Sequence, residues 1–182
     1  MQLTARLLSL GFLAAAVSAA PVVERQLDLF QLQISCPANQ RVDGRFLALN
    51  NNTLGVFSAD FEPVRVYAVE GAKEGVNELH TYPVGIVDHS LGLVGPPGFL
   101  TLVDLMNPST VKPGDGNVAQ WDTFVISDGK VTNDAVGQWL AFPGHDDTWK
   151  VKWSDGTAVV TADFMPIEIL YKSAGEGRYN GV

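Results

Sequence analysis

One cysteine, Cys36, stands in the 182 residues of this chain. A single thiol admits no internal disulfide, so cohesion has to come from packing. Cys36 reads either as a small buried hydrophobe or as a reactive thiol. Its surroundings, Ile34-Ser35-Cys36-Pro37-Ala38, do not give the context of a cysteine-protease nucleophile. Positive charge is also scarce: 12 Lys and Arg stand against 20 Asp and Glu, with no basic run. Phosphate backbones and anionic lipid surfaces are held by clustered cations, so neither nucleic acid nor a membrane surface is an expected partner. Gly-x-Ser-x-Gly, His-Glu-x-x-His and paired-cysteine motifs are missing too. The expectation is therefore a non-enzyme with no catalytic residue, no metal and no cofactor. Finally, apolar residues nowhere keep a helical period, and 18 Gly and 10 Pro interrupt the chain.

What is present begins with a targeting segment. Arg6 precedes the apolar run Leu7 to Val17, and Ser18-Ala19-Ala20-Pro21 ends it with small residues suited to cleavage. The run is shorter than the roughly 20 apolar residues that span a bilayer. Residues 1–20 are thus expected to be a signal peptide, with a further trim after Arg25 weakly signalled. Losing Arg6 takes the formal net charge from −8 to −9, which favours solubility. Residues 21–27 read as a flexible lead-in, 28–172 as one domain, and the Gly-rich 173–182 as a tail that frays. No apolar tail follows Lys172, which argues against a lipid anchor of the GPI type.

The domain is organised around a segment that occurs twice. Ser58 to Tyr67 reads SADFEPVRVY and Thr161 to Leu170 reads TADFMPIEIL. Phe46-Leu47-Ala48-Leu49 precedes the first copy and Trp139-Leu140-Ala141-Phe142 the second. Two echoes in the same order point to a duplicated β-unit. Alternation of Phe30, Leu32 and Ile34 with Gln31, Gln33 and Ser35 is a strand signature. Val84 to Val87 is an apolar run with the grammar of a strand, and Asp128-Gly129 and Asp155-Gly156 read as hairpin turns, the second leading into Ala158 to Thr161. Stretches 28–70, 78–118 and 119–172 each hold strand, turn, short strand, loop and strands. About twelve short strands in three units predict an all-β, β-trefoil-like barrel, with a Greek-key barrel or sandwich as the alternative.

Candidate residues are few. Asp88-His89-Ser90 and His145-Asp146-Asp147 set carboxylates beside imidazoles, with His80 the third histidine. Neighbours on a strand point to opposite faces, so solvated turn residues are the expectation. Asp60 and Asp163 occupy equivalent repeat positions and are read as turn residues rather than a glycosidase pair. Trp149 and Trp153 alternate with Lys150 and Lys152, the pattern of a buried face. Asp146, Asp147 and Trp149 nonetheless form the best local cluster for glycan binding. Asn51-Asn52-Thr53 is an N-glycosylation sequon on an expected turn.

The layout of signal peptide and short all-β domain, with Gly44-Arg45-Phe46-Leu47-Ala48-Leu49 and Gly137-Gln138-Trp139-Leu140-Ala141-Phe142, resembles the phialide-type (PhiA-like) fungal cell wall proteins, also described as IgE-binding allergens. The family members carry several cysteines where this chain has one. The resemblance implies an extracellular or cell-wall location without catalysis, and it carries over no functional residue. Three functions are expected in order: a non-enzymatic wall or surface protein, a carbohydrate-binding module, and a protein-directed inhibitor or effector. The corresponding partners are a cell-wall polysaccharide or a secreted protein. For the third, the Gly95-Pro96-Pro97-Gly98-Phe99 turn and the 106–120 loop are the candidate contact segments.

Overall fold

The structure, a computed structural model, describes residues 24–160 and 163–180. The expected signal peptide and residues 21–23 lie outside the described residues, as do Thr161 and Ala162 of the second repeat copy. Among the described residues thirteen strands form: β1 Glu24–Ser35, β2 Ala48–Asn50, β3 Thr53–Val56, β4 Arg65–Glu70, β5 Asn77–Tyr82, β6 His89–Gly95, β7 Phe99–Met106, β8 Val118–Gln120, β9 Asp122–Ser127, β10 Lys130–Asn133, β11 Gln138–Pro143, β12 Trp149–Ser154 and β13 Met165–Asn180. One 3-10 turn, Pro108–Thr110, is the single helical piece among the described residues. None of them forms a helix long and apolar enough to cross a membrane.

The all-β expectation holds, and the sheet closes. Nine antiparallel strands run β5–β9–β10–β13–β11–β12–β3–β7–β6, and β6 returns to β5 through His80 opposite Ser90. β1 pairs with both β13 and β4, and β4 with β5, which makes a shorter circuit of six: β1–β4–β5–β9–β10–β13. Three hairpins stand off that circuit: β2–β3, β6–β7 and β11–β12. They meet one another. Trp149 lies opposite Val56, Thr53 opposite Val103, and Trp153 opposite Leu100.

Period-two alternation explains which side chains fill the interior. Leu32, Ile34, Val66, Leu79, Phe124, Val131 and Ile169 come from the six-strand circuit, and Leu54, Val56, Leu93, Leu102 and Val151 from the hairpins; all are buried. Trp149, Val151 and Trp153 share the buried face, as their spacing predicts. Asp128 and Gly129 both take positive φ, the geometry of a two-residue hairpin turn between β9 and β10.

Three segments differ from the sequence reading. First, Glu24–Leu27 and Ser173–Asn180, expected to be lead-in and tail, are paired strand: Glu24 lies opposite Asn180 and Leu27 opposite Gly177. Ladder hydrogen bonds use only backbone groups, so Gly and Ser do not forbid them. Gly177 is buried there, and a Cβ on it would come within 2.8 Å of the Tyr82 ring and 2.9 Å of Leu29. Second, Val84–Val87 is not a strand but part of the loop between β5 and β6. Third, β12 ends at Ser154, and 155–160 is irregular rather than a hairpin arm.

Candidate functional site

The structure separates the residues expected to bind glycan. Trp149 is 7% exposed and belongs to the core, so its ring offers no face to a sugar. Asp146 and Asp147 sit exposed at positive φ in the turn between β11 and β12, and Asp147 pairs with Arg41. Asp60 and Asp163 are exposed residues on different connections, one before β4 and one before β13. Asn51 is exposed at the tip of the β2–β3 hairpin with φ 47°, a conformation that Asn tolerates. Cys36 is buried, 3.7 Å from the Pro166 carbonyl, which favours the small-hydrophobe reading.

The 95–99 turn and the 106–120 loop are also less free than expected. Phe99 packs edge-on against Phe164, and Lys152 lies over its ring. Asn107 donates its N–H to the Asp88 carbonyl at 2.7 Å, fastening the start of the long loop to the end of the 83–88 loop.

The histidines depart furthest from expectation. His145 is an exposed turn residue, but His80 and His89 lie on adjacent strands among carboxylates. His80 is 10% exposed; its Nδ1 lies 2.8 Å from Asp88 Oδ1 and its Nε2 3.0 Å from Glu78 Oε2. An ionised carboxylate only accepts, and a neutral imidazole donates from one nitrogen alone. Two carboxylates on the two nitrogens therefore fit the imidazolium, in which both nitrogens donate. The ring of Tyr67 on β4 stacks on this imidazole at 5.4 Å between centroids. Burial first, then the negative charge of Asp88, then Tyr179, push the Tyr67 hydroxyl above its ordinary pKa, so it stays a neutral donor at physiological pH.

A second pair lies alongside. His89 Nδ1 is 2.6 Å from Asp104 Oδ2, and Thr81 Oγ1 donates to Asp104 Oδ1 at 3.2 Å. Asp104 is 5% exposed and His89 40%. A buried carboxylate orienting a half-exposed imidazole is two-thirds of a nucleophilic relay. The hydroxyls beside it are engaged elsewhere: Thr81 with Asp104, and Ser90 with the Leu79 and Leu91 carbonyls. Asp88, His89 and Ser90, adjacent in sequence, thus serve three different partners. Among the described residues no three His, Cys, Asp or Glu converge as metal ligands.

Over these groups lies the 83–88 loop. Tyr67, Thr81, Pro83, Val84, Gly85, Val87, Asp88 and His89 line a cleft of about 10 Å³, room for about one water molecule. Ile86 is fully exposed above it and Val87 is 38% exposed. One sequence signal for the cluster was available. Asp104 interrupts the apolar run Phe99 to Met106 in phase with Leu100 and Leu102, whose side chains are buried, and a buried charge demands a partner. Which partner was not readable, because it comes from another strand. Among known protein families, curated proteins and solved structures, no match to this chain is found.

Proposed function

We propose that this chain is a secreted, non-enzymatic extracellular protein, associated with the cell wall or surface, that docks another extracellular protein through the 83–88 loop. Its fold is read as a β-trefoil: what supports this is the six-strand circuit with three mutually paired hairpins, one for each expected unit. The observation that carries the docking is the full exposure of Ile86 on a loop whose last residue is fastened twice. Asp88 binds His80 through its side chain and Asn107 through its carbonyl. Single exposed apolar residues are ordinary on protein surfaces. A branched side chain held out from a braced backbone is preorganised, which lowers the entropy lost when an apolar pocket receives it. The cleft beneath is too small for a substrate, so the loop's outer surface is the usable one. The buried ring of Trp149 removes the aromatic platform on which the polysaccharide reading relied.

The test is a panel of secreted endopeptidases and of wall polysaccharides (chitin, β-glucan, mannan) against the purified mature protein. Saturable binding to, or inhibition of, an endopeptidase with an apolar primary pocket is expected. Ile86→Asp should weaken it by about tenfold or more, the loss of about 1.4 kcal/mol or more at a contact centre. The same variant should change unfolding free energy by no more than about 0.5 kcal/mol, since the side chain is in water. Binding indifferent to Ile86→Asp, or binding to polysaccharide alone, would overturn the reading.

Wall association in this proposal is non-covalent or through a glycan at Asn51. The secreted protein should lose apparent mass on enzymatic deglycosylation, and Asn51→Gln should abolish that loss. An unchanged mobility in both would remove the glycan from the account.

A further inference from the structure

We propose that His80 is a pH-sensitive latch that fixes the 83–88 loop under acidic conditions and releases it as the pH rises. The use of such a latch rests on the docking reading of that loop; the latch itself stands on the geometry beneath the loop. His80 joins the loop to the barrel wall by a side-chain bond, from β5 to Asp88. The charged and titratable groups that face it come from several elements. Glu78 comes from its own strand, Asp88 from the loop, and Tyr67 from β4. Tyr179 of β13 acts on Tyr67, and Asp122 of β9 lies opposite Glu78 in register. Ser90, opposite on β6, is uncharged and bonded to backbone carbonyls. His89 and Asp104 are occupied with each other.

The direction follows from counting protons. An imidazole carries two protons on the acid side of its charge change and one on the other. Below that change both nitrogens of His80 carry a proton and both carboxylates are satisfied. Above it one N–H remains, and the other nitrogen turns a lone pair toward a carboxylate that can only accept. One of the two bonds must go. Asp88 is 51% exposed and Glu78 27%. Water compensates Asp88 more fully, so the loop bond is the one released.

The closing experiment uses the free mature protein and needs no partner. Ring-nitrogen NMR is recorded at pH values on either side of the one at which His80 passes from two N–H groups to one. The exchange rate of the Asn107 amide, which the Asp88 carbonyl holds, is measured at both values and corrected for intrinsic pH dependence. Protection should fall by about tenfold at the higher pH, the scale of one lost charged hydrogen bond. His80→Gln, which cannot titrate, should show the same protection at both values, while His89→Gln should behave as wild type. Asp88→Asn keeps the histidine and should also erase the dependence, which covers a failure of His80→Gln to fold. Equal wild-type protection at the two pH values, or a dependence surviving in both the His80→Gln and the Asp88→Asn variants, would overturn the latch. Loss of partner binding in Ile86→Asp is read separately, so docking and latch fail independently.

Discussion

Gly55→Ala is expected to destabilise the protein more than any other single-methyl addition in the hairpin triangle. Gly55 lies on β3 opposite Lys150 of β12, and a Cβ there would drive into the Trp149 carbonyl oxygen and lie 3.1 Å from its carbonyl carbon. What it meets is backbone, and the backbone cannot yield. Trp149 is paired with Val56, and the same β12 is paired with β7 and β11. Over-packing of this kind costs about 3 kcal/mol or more when the obstacle is rigid. For a domain of this size that lowers Tm by about 6–12 °C. Gly129→Ala is the control. Gly129 has a positive φ of 73°, but nothing lies within 4 Å of its would-be Cβ. Only the left-handed backbone is then penalised, by about 1–2 kcal/mol. Thermal and denaturant unfolding of the two variants side by side measure the difference. If Gly55→Ala proved no worse than Gly129→Ala, the close approach of β3 to β12 would be wrong.

Trp139→Ala should cost about 3–5 kcal/mol, the range for truncating a buried aromatic. Trp139 is 3% exposed and meets Trp153 edge to face, with centroids 5.0 Å apart and planes at 76°. Its Nε1–H donates to the Val131 carbonyl at 2.7 Å, tying β11 to β10 across the strand that separates them, β13. Trp139→Phe isolates that bond: most of the volume stays and the donor goes, at about 0.5–1.5 kcal/mol, the net worth of a typical hydrogen bond. Set against a total stability of about 5–15 kcal/mol, the alanine variant removes a large share of the folded state's margin. Denaturant titration followed by circular dichroism reads both variants. A cost below about 1 kcal/mol for alanine would contradict the packing described, since the lost transfer free energy alone exceeds it.

These residues also show where the sequence was readable. Trp149, Val151 and Trp153 announced their buried face because period-two alternation with Lys150 and Lys152 is a local signal. Asp128-Gly129 announced its hairpin because the turn type demands those residues. The strand over Ser173–Asn180 gave no such signal. Its register comes from backbone pairing with β1, near the opposite end of the chain, as with Asp28 opposite Glu176. Val84, Ile86 and Val87 suggested a strand through composition, yet among the described residues no strand pairs with them. Composition reports what a segment prefers to bury, not whether a partner is there. The histidine cluster failed for the same reason from the opposite side. His80 with Asp88, and His89 with Asp104, are pairs that only the sheet brings together, whereas Asp88 and His89 were visible together and are not partners.

The seam between β1 and β13 bears on how the protein is made. β13 borders β1, β10 and β11, so it belongs to both closed circuits. During synthesis β1 is delivered first, and its pairing edge stays open until nearly everything else has been polymerised. At about 5–20 residues per second, the interval is many seconds. Throughout it, the edge of Phe30 to Ile34 that receives β13 is an unpaired template for any extended chain nearby. The molecule therefore acquires its closed fold only once its C-terminal strand has been delivered. Shortening β13 by a few residues should then harm yield of the soluble protein far more than the same deletion at the tip of a hairpin.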